Sequence, residues 1–209
     1  MNKLISIYTV FNKYPIEYLS ECINGIKFQT YDNYEYIFVI YGKDNDYENI
    51  IKVLSGMNIK VFLLDDTEVF ITAIQYAISK CSGEYVIRAD ADDILMPNAL
   101  QNMYNYIEEN DLSIVISDYT DDYDNTVHKG KDLPGNALIE RDKYNYIKYL
   151  PNQEFRDGKS LLKTFKRYGF GIGYLRVPCF FYRNNVNSMT SNIEEVNRID
   201  NEIKRQDIK

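Results

Sequence analysis

Apolar and polar positions along the chain alternate between a strand-like and a helix-like period in a regular order. Leu4 to Val10 is a β-rich run. Pro15 then opens a helical stretch in which Ile16, Leu19, Ile23 and Ile26 share one face. Tyr36 to Tyr41 is a continuous apolar run closed by Gly42, the pattern of a strand buried on both faces. Asp44 and Asp46 precede a helix through Ile50, Ile51 and Val53, where acids suit the positive end of the helix dipole. A third strand is predicted over Ile59 to Leu64, a helix over Val69 to Lys80, and a fourth strand over Glu84 to Ala89. Pro97 begins another helix, and Leu112 to Ser117 forms a fifth strand.

This alternation predicts an α/β fold with a mostly parallel central sheet and helices on both faces. In such sheets ligands bind beyond the carboxyl ends of the strands. The second half is less regular. It reads as a polar, acidic loop from Tyr119 to Lys131, a short strand at Ala137 to Glu140, and a helix over Asp142 to Leu150. A helix near Lys159 to Tyr168 and a last strand running through Arg183 follow. From Asn192 the chain is a charged tail with a weak helical period in Ile193, Val196, Ile199 and Ile203.

Composition narrows the function classes. The chain has 209 residues, about one domain, with 45% apolar and 26% charged residues, so it can bury a full core. Its 24 Lys and Arg against 31 Asp and Glu leave a net charge of −7, which argues against nucleic acid as a partner. No apolar run approaches the ~20 residues of a membrane helix, and the first residues lack the pattern of a signal peptide. No transmembrane segment is therefore expected. Cys22, Cys81 and Cys179 are odd in number and far apart, which fits a reduced, cytoplasmic protein without a zinc site.

The strongest local signal is Asp90-Ala91-Asp92-Asp93, directly after a buried strand. Three carboxylates in four residues repel one another, and a hard divalent cation is the usual way to neutralise such a group. In extended chain Asp90 and Asp92 point to one side. A solvated turn with Asp93 or Asn98 capping the next helix fits the same residues.

Here the chain resembles the family 2 glycosyltransferases with the GT-A (nucleotide-diphospho-sugar transferase) fold. Several segments stand in that family's order: Ile5 to Asn12 as the first strand, Gln29-Thr30 before the second, and Ser82-Gly83-Glu84-Tyr85-Val86 leading into Asp90-Ala91-Asp92-Asp93 and Pro97. Tyr182-Arg183 with Ser188-Met189-Thr190 is similar to its closing pattern.

The resemblance implies a single GT-A domain over 1–209, with a nucleotide-sugar half at 1–117, an acceptor-side half at 118–191 and the tail at 192–209. It also implies inverting transfer of a sugar from a nucleotide-diphosphate donor to a glycan or lipid-linked acceptor hydroxyl. The setting would be bacterial cell-surface polysaccharide or lipopolysaccharide synthesis, in the cytoplasm or at the inner face of the membrane. The implied cofactor is Mn2+ or Mg2+, held by Asp92 with Asp90 and Asn185. Asp90, Thr9, Phe11 and Tyr41 would contact the donor. The general base matches Asp157, with Glu154 as runner-up; Asp157 also fits the role of a cap for the helix that begins at Gly158.

Three positions depart from the family pattern. Ile40-Tyr41 replaces a pair of aspartates that contacts the nucleotide base, Ile74-Gln75 stands where an Asn or Arg is usual, and Asn185 replaces a metal-binding His. A non-catalytic GT-A module that binds a nucleotide or a partner enzyme is the alternative function. A nucleotidyltransferase fits less well, because Asn12-Lys13-Tyr14-Pro15 is a poor phosphate loop. The single histidine, His128, lies in a polar loop with no nucleophile motif beside it, and Gly169-Phe170-Gly171-Ile172-Gly173 reads as a turn. Asp118, Asp121, Asp122 and Asp124 lack the glycine and closing glutamate of a calcium loop.

Overall fold

A computed structural model describes the chain except for residues 1, 44, 65–68, 122–125, 132–134, 136, 151–152, 154, 185–192 and 206–209. The first half follows the predicted alternation: β1 (Ile5–Phe11), α1 (Ile16–Lys27), β2 (Tyr34–Tyr41), α2 (Tyr47–Leu54), β3 (Ile59–Leu64), α3 (Phe70–Lys80) and β4 (Tyr85–Arg88). There follow β5 (Ile94–Leu95), α4 (Ala99–Glu109), β6 (Ile114–Asp121), β7 (Val127–His128) and β8 (Ala137–Glu140). A 3-10 turn (Arg141–Tyr146), α5 (Asp157–Tyr168), β9 (Ile172–Tyr182) and α6 (Ile193–Arg205) complete the described chain.

Among the described residues, nine strands form one sheet in the order β3-β2-β1-β4-β8-β6-β9-β5, with β7 paired to β6. β1 to β4 run parallel. β8 enters antiparallel between β4 and β6, and β9 runs parallel to β6.

Strand alternation sorts the core into two layers. Ile5, Ile7 and Phe11 of β1, with Tyr36, Phe38 and Ile40 of β2, face α1, α2 and α4. Tyr8 and Val10, with Ile37, Val39 and Tyr41, face α3 and α5. Both faces of β1 and β2 are buried, which is why their sequences are continuous apolar runs. Asp46 caps α2 by accepting from the Asn49 backbone N–H at 3.2 Å. β1 and β4 approach closely at Gly83, where a Cβ would sit 2.6 Å from the Leu4 carbonyl oxygen.

The second half corrects two expectations. Tyr119 to Asp121 belong to β6 and not to a loop, because β9 continues alongside them past a register shift near Pro178 and holds them by backbone pairing. Tyr119 packs there on Phe180, with ring centroids 5.2 Å apart. Val127 and His128 also pair with β6, and the His128 ring stacks on Tyr119. The helix expected over Asp142 to Leu150 is a 3-10 turn that ends at Tyr146. The chain then straightens, so Tyr144, Ile147 and Tyr149 all reach the α3–α5 layer. Gly169 ends α5 with φ 69°, and the glycine-rich stretch turns the chain at 169–171, with Ile172 and Gly173 already paired in β9. The charged tail forms α6, which buries Ile199 and Ile203 against Phe155. Arg156 grips α6 through a bidentate ion pair with Asp200, both contacts 2.8 Å.

Candidate active site

The carboxyl ends of β1 and β4 lie side by side, with the Ala89 N–H bonded to the Tyr8 carbonyl at 2.9 Å. β4 then gives way to the acidic turn, closed by a 3.0 Å bond from the Asp93 N–H to the Asp90 carbonyl. Two further clamps hold it. Asp93 Oδ1 accepts the Arg183 backbone N–H at 3.0 Å, and Arg183 Nε donates to the Asp92 carbonyl at 3.1 Å. The Arg183 guanidinium lies 4.2 Å from the centre of the Tyr18 ring and pairs with Glu21, so the end of β9 and α1 together lock the turn. Behind it, Gln29 donates to the Gly25 and Met96 carbonyls at 2.9 and 2.7 Å and accepts the Leu100 N–H at 3.1 Å. Asn98 stands at the start of α4 but accepts from the Thr30 hydroxyl instead of capping the helix.

The turn concentrates negative charge where water is scarce. Burial, then the neighbouring Asp90 carboxylate, pushes the Asp92 carboxyl up to about 6. Asp93 is raised well above the usual carboxylate range by burial and by Asp90 and Asp92.

Arg88, the last residue of β4, balances this charge. It is 6% exposed and joins two carboxylates. Its Nη1 donates to Asp157 Oδ2 at 2.7 Å and its Nη2 to Asp90 Oδ2 at 3.1 Å. Its Nε lies 2.7 Å from Asp90 Oδ1, an ion-pair distance without hydrogen-bond alignment. The guanidinium also sits 5.2 Å from the centre of the Phe70 ring. Asp157 opens α5 and is buried; burial raises its carboxyl, while Arg88 opposes the rise. Its carboxylate is thus committed to Arg88, 69 residues away, and not to capping α5.

Tyrosines close the inner wall. The Tyr8 and Tyr144 hydroxyls lie 3.2 Å apart, and burial raises both phenols, so they stay neutral. The Tyr149 hydroxyl is buried and has no hydrogen-bond partner among the described residues; burial first and the Asp157 carboxylate second raise its pKa.

The expected site residues divide accordingly. Asp90, Asp92 and Asp157 gather around Arg88 and the acidic turn. Thr9 and Phe11 lie in the core, 0% and 2% exposed. The Thr9 hydroxyl donates to the Ala89 carbonyl at 2.7 Å and accepts from Tyr36 at 2.9 Å, so neither side chain leaves surface for a ligand. Tyr41 is buried, with its ring 6.4 Å from Phe70. Glu154, Asn185 and Ser188 to Thr190 lie outside the described residues. The three cysteines are buried, and burial pushes Cys81 up to about 12 and Cys179 to about 11, which leaves them inert as nucleophiles.

Arg88 and Tyr149 have no place in the sequence reading. Arg88 did leave a signal: it is the one charged residue inside a strand buried along its whole length, and a buried guanidinium needs carboxylate partners. Tyr149 left none, because one tyrosine among 20 carries no pattern of its own.

Among the described residues, no cluster of three or more His, Cys, Asp or Glu side chains could cage a metal ion. The crowded pair Asp90 and Asp92 does fit a hard cation of another kind, one bound by one or two carboxylates that draws its other ligands from water and substrate phosphates.

The chain belongs to glycosyl transferase family 2, whose family model matches residues 7–189. Glycosyltransferase GlyG of Streptococcus pneumoniae is 31% identical over 130 residues, which span 57% of this chain and 40% of that protein. The O-antigen biosynthesis glycosyltransferase WbnJ of Escherichia coli is 30% identical over 117 residues, 54% of this chain and 44% of that one. This chain therefore spans less than half the length of either relative. The crystal structure of S. aureus TarS 1-349 in complex with UDP-GlcNAc superposes with a TM-score of 0.74 at 16% identity, covering 91% of this chain and 61% of that one. The fold is thus the GT-A fold expected from the motifs.

Proposed function

We propose that the chain moves a sugar from a nucleotide-diphosphate donor to an acceptor hydroxyl, with inversion at the sugar carbon, during synthesis of a bacterial surface glycan. The observation that carries this reading is the meeting of Asp90, Asp92 and Asp157 at the carboxyl ends of the parallel strands, where α/β sheets bind ligands. UDP-GlcNAc, held by the structural neighbour, is the first donor to test.

In the transfer, the acceptor oxygen forms a bond to the sugar carbon while the bond from that carbon to the diphosphate breaks. The hydroxyl proton passes to the Asp157 carboxylate, where burial favours taking up a proton and the ion pair with Arg88 opposes it. A divalent cation held by Asp92 and Asp90 would take up the charge that develops on the departing diphosphate. The enclosing Tyr8, Tyr144 and Tyr149 exclude water from the base.

A thermal shift across UDP, GDP, dTDP and CMP, each with and without manganese, tests the donor side. A ligand at a hundred times its dissociation constant adds about 2.7 kcal/mol, and for a chain this long that is a rise of roughly 5–10 °C. A metal-dependent rise with one nucleotide is expected, and Asp92→Asn is expected to abolish it. Asp157→Asn should keep the rise and lose at least about a hundredfold in turnover. If no nucleotide shifts the melting temperature, the enzymatic reading fails. The non-catalytic module then takes its place, a reading supported by Tyr41, which is buried where the family's pattern has an aspartate.

A further inference from the structure

We propose that Arg88 is a positioning residue: it fixes the orientation of the Asp157 carboxylate and ties the base to the donor-side Asp90. The inference rests on the glycosyltransferase reading above and deepens it.

Three observations carry it. First, Asp157 starts a helix on the acceptor side and Asp90 lies in the turn just after β4 on the donor side, and Arg88 links them, at 2.7 Å to each carboxylate. Second, Arg88 has no freedom to serve elsewhere, since it is the last residue of a fully buried strand and Phe70 flanks its guanidinium. Third, the guanidinium fork is divided. Nη1 points to Asp157 while Nη2 and Nε face Asp90, so the planar group transmits the angle of one carboxylate to the other. Lysine offers a single ammonium and cannot reproduce that division. Misplacement of a general base by about 1 Å is enough to cost on the order of a hundredfold in rate.

The test uses the whole chain with UDP-GlcNAc, following UDP release, and compares Arg88→Gln, Arg88→Lys, Asp157→Asn and the double variant Arg88→Gln/Asp157→Asn. UDP affinity by calorimetry and the melting temperature are recorded for each. Arg88→Gln is expected to lower kcat about a hundredfold with KM for the donor changed less than fivefold. In the Asp157→Asn background it should cost less than a further twofold, because a residue that acts through the base loses its effect when the base is gone. Arg88→Lys should recover about tenfold over Arg88→Gln. Independent, multiplicative losses in the double variant would overturn the proposal, as would a loss confined to KM. If Arg88→Gln fails to fold, Arg88→Lys decides, and unchanged kcat in that variant sinks the idea. If the unaltered chain turns over no nucleotide sugar, the enzymatic reading itself falls. Turnover that is indifferent to Arg88 refutes this inference alone.

Discussion

Tyr149 brings a polar atom into the interior, where it has no hydrogen-bond partner among the described residues. A buried hydroxyl without a hydrogen bond costs about 1–3 kcal/mol, so Tyr149→Phe should stabilise the free protein by about 1 kcal/mol. Thermal denaturation would show this as a rise of roughly 2–4 °C. The same variant should lose turnover if the hydroxyl meets the incoming sugar or acceptor, and that combination of higher melting temperature and lower rate is the expected signature. A lower melting temperature would mean that the hydroxyl has a partner in the free protein. Thr9 is the opposite case: its hydroxyl is satisfied on both sides by Ala89 and Tyr36, and it holds β1 to β4 and β2 with nothing left for a ligand. Two buried hydroxyls, one in each layer of the core, are thus separated by their hydrogen-bond balance.

Among the elements, α5 is the one whose placement matters most, because its first residue is Asp157. The residue before it, Arg156, adopts the left-handed conformation with φ 65°, an unfavourable state for a side chain with a Cβ. Its bidentate pair with Asp200 offsets that strain and docks α6 against the start of α5. Arg156→Ala keeps the strain and removes the pair, so a loss of about 1–2 kcal/mol is expected. Hydrogen exchange would localise it: amides of α6 should exchange faster while those of β1, β2 and β4 stay protected. Equal loosening of the central strands would contradict the idea that α6 is secured through Arg156.

The molecule as a whole separates stability from chemistry along its sheet. At the amino ends of the strands, Glu35 accepts from the hydroxyls of Ser6 and Ser82 and the Ser82 N–H, and pairs with Lys60 at 2.7 Å. Burial alone would raise Glu35, yet these partners outweigh it and hold the carboxyl down to about 2. A depressed carboxylate stabilises the fold fully above its unfolded value near 4.5, and that contribution is lost as pH falls toward about 2. Glu35→Gln should therefore melt lower than the unaltered chain at pH 7, by roughly 4–8 °C for about 2 kcal/mol. The gap should close between about pH 4.5 and 2, and a gap that persists at pH 2 would assign the difference to packing. At the carboxyl ends the balance is reversed: Asp90, Asp92 and Asp93 crowd together, and the rest of the chain holds them there through Arg88 and Arg183.

Much of this was legible in the chain alone. Period-two and period-3.6 patterns are local, so β1 to β4 and their helices could be read within a residue or two, as could the short strand at Ala137 to Glu140. The Asp90 to Asp93 turn was legible because it combines an unusual charge density with a buried strand. The second half was less so. β6 runs past its apolar stretch because β9 supplies its backbone hydrogen bonds, and no local pattern records a partner. The 3-10 turn replaced a helix because Tyr144, Ile147 and Tyr149 all had to reach one layer of core. Sequence alone thus determined the order of elements, the fold family and the acidic turn, since these depend on neighbours a few residues apart. The tertiary structure alone decided that Thr9 and Phe11 are core, that the Tyr149 hydroxyl is buried without a hydrogen-bond partner among the described residues, and that one guanidinium joins Asp90 to Asp157. A buried charge takes its partner from whatever the fold brings within about 3 Å, and here the fold spans 69 residues to do so.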